Sequence, residues 1–147
     1  MRSVVLTALA IGCAGQHAAP RSGRPDDATL FVYHHACSDP RAAAALVLSD
    51  DRVAGVALAD SHDRGGYTPD TLVAQICASL VRPRDTDLKV VGAVVVGPAG
   101  SNQGIRDGVT AQIVHFVLED SGHQRSQFSH DVVWVQTPDG WRLAWIE

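Results

Sequence analysis

The sequence of 147 residues predicts an α+β fold, in which helices precede an antiparallel sheet. Three helix start signals lie in the first half of the chain, and long β-branched runs lie in the second half. The last twenty residues, FSHDVVWVQTPDGWRLAWIE, carry two β-rich runs around Thr137-Pro138-Asp139-Gly140, which is typical of a β-hairpin. We therefore expect three helices and four antiparallel strands, with a short extra strand between the second and third helices.

The N-terminus has the pattern of an export signal. Met1-Arg2 supplies a short positive end, and Val4–Ile11 is an apolar run too short to span a membrane. The following Gly12-Cys13 resembles a bacterial lipobox, with Ala10 where Leu is usual. This pattern predicts that Cys13 is lipidated. Plain secretion, an uncleaved signal anchor and a buried first strand of a cytosolic protein are the alternatives.

The predicted domain organisation follows from this reading. Residues 1–13 form a signal peptide with its lipobox, and residues 14–26 form a flexible tether that contains Gly, Pro and Ser and little that could be buried. Residues 27–147 then form one domain. The expected location is the outer face of the cell membrane through a lipid anchor, or the secreted fraction.

Each predicted helix begins at a capping signal. Asp26 or Asp27 is expected to cap a first helix that runs through Cys37, and Asp39-Pro40 begins the second. Thr68-Pro69-Asp70 repeats the signal for the third. The apolar stripes that define the three helices are Leu30, Tyr33, His34 and Cys37; Ala43, Leu46 and Val47; and Val73, Ile76, Cys77, Leu80 and Val81. The short extra strand is predicted at Arg52–Ala59.

The strands form a predicted meander. Leu88–Gly97 and Ile105–Leu118 precede the terminal hairpin of His130–Gln136 and Trp141–Ile146. A three-residue loop would pair Thr137 with Trp141. The ribbon would then have Val135, Leu143, Val133 and Trp145 on one face, and Trp134, Ala144, Val132 and Ile146 on the other.

Both faces of that hairpin ribbon are apolar, so both need a cover. Three helices can cover one face. We therefore predict that the other face meets a second copy of the chain, giving a homodimer through the sheet.

Two stretches carry a resemblance to a known superfamily. ACSDPRAAAALVLSDDRV (Ala36–Val53) and the terminal DGWRLAWI resemble the nuclear transport factor 2-like superfamily, which includes the SnoaL-like cyclases and the steroid isomerases. The resemblance covers about Asp27–Glu147. It implies a cone, in which three N-terminal helices pack on a curved antiparallel sheet around an internal pocket.

The resemblance also implies candidate site residues. The proton-abstracting Asp and the Tyr of the steroid isomerases fall near Val56 and Phe31, which are apolar, so that chemistry is not expected. A second acid of that family matches Asp131, the candidate catalytic residue; the alternative places Asp131 in solvent at the open end of the sheet. The predicted ligand pocket consists of Phe31, Tyr33, His115, Asp131, Val133 and Trp145.

The two cysteines outside the lipobox are predicted to form a disulfide. Disulfides persist in an oxidising compartment, and in the resembled fold the first and third helices both lie against the concave side of the sheet. Cys37 and Cys77 would then meet across their helices. Two separate buried thiols are the alternative.

Charge and spacing exclude other classes of function. The net charge of −4, without a cluster of Lys and Arg, disfavours nucleic acid as a partner. No HxH or HxxxH spacing occurs among the histidines, so neither a metal site nor another cofactor is expected. His115, on a strand, is interpreted as a core histidine with its hydrogen bonds satisfied or as part of the pocket.

The sequence therefore favours a non-catalytic exported module, anchored to the membrane by its lipid. Its role would be to bind a small apolar molecule or to assemble proteins at the cell surface. The alternative is a SnoaL-like enzyme of the isomerase, cyclase or hydratase type that uses the cone pocket.

Overall fold

The computed structural model describes residues 23–49, 68–81, 88–120 and 127–146. The predicted signal peptide, Cys13, most of the tether and the predicted strand Arg52–Ala59 lie outside the described residues. Within these ranges the fold is α+β, with three α-helices followed by a four-stranded antiparallel sheet. The helices are α1 (Pro25–His35), α2 (Pro40–Ala44) and α3 (Pro69–Leu80). The strands are β1 (Leu88–Pro98), β2 (Ala111–Asp120), β3 (Gln127–Thr137) and β4 (Gly140–Ile146).

Two of the three predicted capping signals are confirmed. Asp39 accepts a hydrogen bond from Ala42 N at 3.2 Å at the start of α2, and Thr68 accepts one from Thr71 N at 3.2 Å at the start of α3. At α1 the prediction is wrong, because Arg24 occupies the N-cap position and makes no capping hydrogen bond with its side chain. The carboxylate of Asp26 instead accepts from Arg24 Nη2 at 2.6 Å.

The second helix is shorter than its apolar stripe predicts. It ends at Ala44, and Val47 forms a parallel bridge with Leu143 of β4. Two backbone hydrogen bonds hold this bridge, from Leu48 N to Leu143 O at 2.9 Å and from Leu143 N to Leu46 O at 2.8 Å. Pairing with the edge of the sheet therefore replaces the last turn of the predicted helix.

The sheet is a meander in the order β1-β2-β3-β4. The second strand begins at Ala111, six residues later than predicted, because the β1–β2 connection includes a short 3₁₀ turn at Ser101–Gln103 and the left-handed Gly104 and Gly108. Ile105 of this connection is buried. A predicted strand residue thus serves as a core residue of a loop.

The terminal hairpin is confirmed, but its loop is tighter than predicted. Thr137 pairs with Gly140, whose φ of 103° lies in the left-handed region that favours glycine. A bulge at Ala144 then restores the predicted pairs Val132↔Ile146 and Val133↔Trp145. Between the loop and the bulge the register differs by one residue, so Trp134 pairs with Leu143 rather than with Ala144.

Two hydrophobic clusters lie on opposite faces of the sheet. The main core contains buried residues from all three helices and all four strands, including Val32, Val73, Val90, Phe116, Trp134 and Leu143. The second core is smaller and consists of Leu48, Ala99, Ile105, Ala111, Val133, Val135 and Ala144, with Val109, Ile113 and Trp145 packed against it.

The two cores correct the reasoning behind the predicted dimer. Trp134 and Leu143 on one face of the hairpin ribbon, and Val133 and Val135 on the other, are all fully buried by the chain itself. The second core, built from the β1–β2 connection and Leu48, supplies the cover that the sequence did not reveal. The hairpin ribbon therefore does not need a second copy for its burial.

Candidate functional site

An open cleft lies where the end of α1, the end of α3 and the start of β1 come together. Its volume is about 490 Å³, a size typical of small-molecule sites. The residues that line it are mainly apolar: Tyr33, His34, Cys37, Leu80, Val81, Leu88, Lys89 and Val90.

Local structure explains why these residues meet. The alternation of β1 turns Leu88 and Val90 toward the main core, while the Lys89 side chain between them is exposed. The last turn of α3 places Leu80 in the same core, and Val81, just after the helix, is 58% exposed at the cleft. The floor of the cleft is therefore formed by buried apolar side chains, and the exposed Val81 lies at its rim.

Tyr33 is the principal aromatic residue of the cleft. It is buried, and its ring packs against Phe116 of β2 with 4.3 Å between ring centroids. Burial raises the pKa of the Tyr33 phenol, because the ionised form would lose its hydration. The phenol is therefore a neutral group at physiological pH.

A disulfide borders the cleft. Cys37 and Cys77 are joined, with 5.0 Å between their Cα atoms, and the bond connects the turn after α1 to α3. Cys77 packs against the main core, whereas Cys37 is exposed and lies two residues beyond the end of α1. The prediction that both cysteines lie on buried helical stripes is therefore wrong for Cys37.

The six residues of the predicted ligand pocket do not come together. Phe31 and Tyr33 pack into the main core, whereas Val133 and Trp145 belong to the second core. His115 and Asp131 share the face of Val133, because residues two apart on a strand lie on one side. The sheet therefore separates the aromatic residues of α1 from the other four, and of the six only Tyr33 lines the cleft.

His115 and Asp131 form a pair of their own. They are direct partners across β2 and β3, and His115 Nδ1 lies 2.6 Å from Asp131 Oδ1. Their side chains are 37% and 40% exposed, so His115 is not the buried core histidine of the sequence interpretation. The carboxylate orients the imidazole, and the pair lies on the face of the sheet opposite the main core.

The antiparallel register could have revealed this pair, but the polar, turn-like segment from residue 119 to residue 127 is too long to fix which residues of β2 and β3 pair. The sequence did not predict the cleft, for a different reason. Leu80, Leu88 and Val90 read as ordinary core positions in the sequence, and only the tertiary arrangement brings the end of α3 beside the start of β1.

Residues 23–49, 68–81, 88–120 and 127–146 contain no group of three His, Cys, Asp or Glu side chains that could hold a metal ion. Within the same part of the chain, no helix is long and apolar enough to cross a membrane.

Comparison with known proteins finds no matching family model, no matching curated protein and no matching solved structure. The resemblance to the nuclear transport factor 2-like superfamily therefore stays a prediction.

Proposed function

We propose that this chain is an exported, membrane-anchored module that binds a small apolar molecule in the cleft between α1, α3 and β1, without catalysing a reaction. The observation that carries this proposal is the composition of the cleft. Tyr33, Leu80, Leu88 and Val90 give it apolar walls, and its volume of about 490 Å³ suits a small organic molecule.

The lining also argues for binding rather than catalysis. Acid–base chemistry needs a titratable group with a partner that tunes it. In the cleft, Cys37 is held in a disulfide and the Tyr33 phenol is kept neutral by burial. His34 and Lys89 also line the cleft, and within the described part of the chain neither side chain has a hydrogen-bond or ion-pair partner that could tune it. His115 and Asp131, a hydrogen-bonded acid–base pair, lie on the other face of the sheet.

A charge at the rim of the cleft tests this proposal. Val81 is 58% exposed, so Val81→Glu should fold normally while it places a carboxylate where the ligand enters. We expect the fluorescent apolar anion anilinonaphthalene sulfonate to bind the native chain, and the variant to bind it about tenfold more weakly, or about 1.4 kcal/mol.

Val94→Glu is the matched control for that experiment. Val94 is 55% exposed and lies on β1 away from the cleft lining, so this variant has the same charge change at a similar exposure. Probe binding that is equal in the native chain and both variants, or absent from the native chain, would contradict the proposed site.

The proposed fold is the cone of the nuclear transport factor 2-like superfamily, formed by residues 27–147. Its support is the order of elements, with helices before a four-stranded meander. The bulges at Val91, Val96 and Ala144 are a further support, because bulges bend and twist strands. The helices would then lie on the concave side of a curved sheet.

The proposed location rests on the N-terminal sequence alone. Met1–Gly12 would be removed and Cys13 would carry the lipid, leaving the segment up to residue 26 as a tether. Intact-mass analysis of protein from the membrane fraction should show a diacylglyceryl group on a chain that begins at Cys13. An exported chain with an unmodified thiol at this position would contradict the anchor.

The second candidate function is a SnoaL-like enzyme of the isomerase, cyclase or hydratase type. One observation favours it: the 2.6 Å contact between His115 and Asp131 resembles the arrangement in which a carboxylate orients a general base. Because this pair lies on the sheet face opposite the helices, the substrate would bind there, outside the cone pocket that the resemblance implies. A ligand titration that maps contacts on both faces separates the two functions.

A further inference from the structure

The hydroxyl of Tyr33 is a polar group that finds no acceptor in its surroundings. Tyr33 is 6% exposed and lines the cleft, with its ring against Phe116. Within residues 23–49, 68–81, 88–120 and 127–146, no group forms a hydrogen bond with its hydroxyl. A hydroxyl kept from water without a hydrogen bond lowers the stability of the fold, so buried hydroxyls are normally paired. The exception at Tyr33 indicates that an acceptor comes from a bound molecule.

The pKa of the Tyr33 phenol leads to the same conclusion. Burial alone raises this pKa, and neither a charged neighbour nor a hydrogen bond contributes to the rise. Apolar atoms therefore surround most of the side chain. The phenol keeps its proton at physiological pH and is available as a hydrogen-bond donor.

The hydroxyl can be reached from the cleft. Among the described residues, Trp134 Nε1 is the only fully buried polar side-chain atom without a hydrogen bond. The Tyr33 hydroxyl also lacks a hydrogen bond, so it is not fully buried and keeps access to a surface. Because Tyr33 lines the cleft, a molecule bound there can accept its proton in a hydrogen bond.

The other titratable side chains of the cleft lining are both bases. His34 and Lys89 are exposed, and neither has an ion-pair partner in the described part of the chain. Glu119 lies opposite Lys89 in the register of β1 and β2. However, neither Glu119 nor another carboxylate of the described ranges lines the cleft. The charges of the lining therefore favour a negatively charged acceptor over a neutral one.

A carboxylate on an apolar body meets all of these conditions. It accepts a hydrogen bond from the phenol, and hydrogen bonds to an ionised acceptor are about twice as strong as those between neutral groups. This bond and the nearby bases offset part of the free energy that the carboxylate loses when it leaves water. The apolar body would contact the buried side chains of Leu80, Leu88 and Val90.

We propose that the cleft binds an amphipathic carboxylate, whose apolar body lies on the cleft floor and whose carboxylate accepts a hydrogen bond from the Tyr33 hydroxyl. This inference rests on the proposed binding function of the cleft and narrows the class of its ligand. The cleft volume of about 490 Å³ accommodates a bicyclic aromatic acid, which provides a simple probe.

Two naphthalene probes, one with the carboxylate and one without it, test the proposal. Fluorescence titration of the full chain with 2-naphthoate and with 2-methylnaphthalene measures the two dissociation constants. Tyr33→Phe keeps the ring and removes the hydroxyl. It should weaken 2-naphthoate binding about tenfold, as expected for the loss of a hydrogen bond to a charged group, and leave 2-methylnaphthalene binding unchanged.

Thr29→Val is the matched control. It also removes a hydroxyl from α1, but this hydroxyl already donates to Pro25 O at 2.8 Å and lies outside the cleft lining. The control variant should bind both probes as the native chain does.

Thermal unfolding at neutral pH gives a second measurement on Tyr33→Phe. Its midpoint should be unchanged or raised, because the variant removes a hydroxyl that the chain itself does not pair. A clearly lowered midpoint would overturn the proposal, since it would show that the fold already satisfies this hydroxyl.

The probe titrations separate this proposal from the proposed function. Tyr33→Phe that weakens both probes equally, or that leaves 2-naphthoate binding intact, would overturn the hydrogen bond. A native chain that binds 2-methylnaphthalene but not 2-naphthoate would overturn the carboxylate class and leave the apolar site standing. If the native chain binds neither probe, the proposed function fails and the carboxylate class fails with it.

Discussion

Tyr33 shows how one residue connects the helices, the sheet and the cleft. Its ring packs against Phe116, its side chain lines the cleft, and its burial raises the pKa of its phenol. The alternating pattern of β2 turns Phe116 toward α1 and the adjacent His115 away from it. A one-residue difference on β2 therefore decides whether a side chain packs against Tyr33 or lies on the opposite face of the sheet.

The raised pKa of Tyr33 predicts a loss of stability at alkaline pH. The unfolded chain ionises this phenol near its ordinary value of 10.0, whereas the native chain keeps it neutral. The stabilising contribution is therefore complete below that pH and is lost as the pH rises toward the native value, by up to about 1.4 kcal/mol per pH unit.

Denaturant unfolding at a series of alkaline pH values measures this effect. Tyr33→Phe is the control, since it keeps the ring and removes the ionisation, and its stability should fall less steeply above the ordinary phenol pKa. If Tyr33 ionises in the native chain near that ordinary value, seen as phenolate absorbance missing from the variant, the burial argument fails.

Sequence reasoning identified Tyr33 and Asp131 as residues of interest but assigned them to one pocket. The assignment to one pocket was wrong for a physical reason. Periodicity gives the face that a residue takes on its own strand, but the face that the helices cover depends on tertiary packing. His115 and Asp131 could be grouped with Val133 and Trp145, whereas the position of α1 could not be read from the pattern.

A disulfide joins two of the helical elements to each other. The Cys37–Cys77 disulfide joins the end of α1 to α3 across 40 residues of sequence. In the chain-entropy interpretation, closing a loop of that length stabilises the folded state by roughly 4 kcal/mol. That is a large part of the stability of a single domain.

The disulfide gives a prediction at this scale. Protein from an oxidising compartment, unfolded without reductant, should show no reactive thiol from either cysteine. The double variant Cys37→Ser/Cys77→Ser should lose several kcal/mol in denaturant unfolding, and the native chain in reductant should match it. Two free thiols in addition to Cys13 would contradict the bond.

Element boundaries were predictable where local chemistry sets them. Thr68-Pro69 begins α3 as expected, because a hydroxyl cap and a proline act within one turn. The end of α2 could not be predicted, because it depends on the bridge between Val47 and Leu143, which are distant in sequence. The hairpin register could not be predicted either, because it depends on the bulge at Ala144. The bulges of β1 could not be predicted from the sequence for the same reason.

At the scale of the whole molecule, the two candidate sites lie on opposite sides of the sheet. The apolar cleft lies beside the helices and β1 on one side of the sheet, and the His115–Asp131 pair lies on the other. The α+β class followed from the order of helical and strand patterns. The second core could not be predicted from that order, because the residues that cover Val133 and Val135 belong to the β1–β2 connection, whose sequence has the pattern of a strand.

The proposed ligand site is the cleft and not the His115–Asp131 pair. Backbone chemical-shift mapping by NMR during titration with anilinonaphthalene sulfonate tests it most directly. We predict saturable shifts at the amides of Tyr33, Val81 and Val90, with the amides of His115 and Asp131 unmoved. Shifts that concentrate at His115 and Asp131 while the cleft amides stay still would contradict it and favour the enzyme.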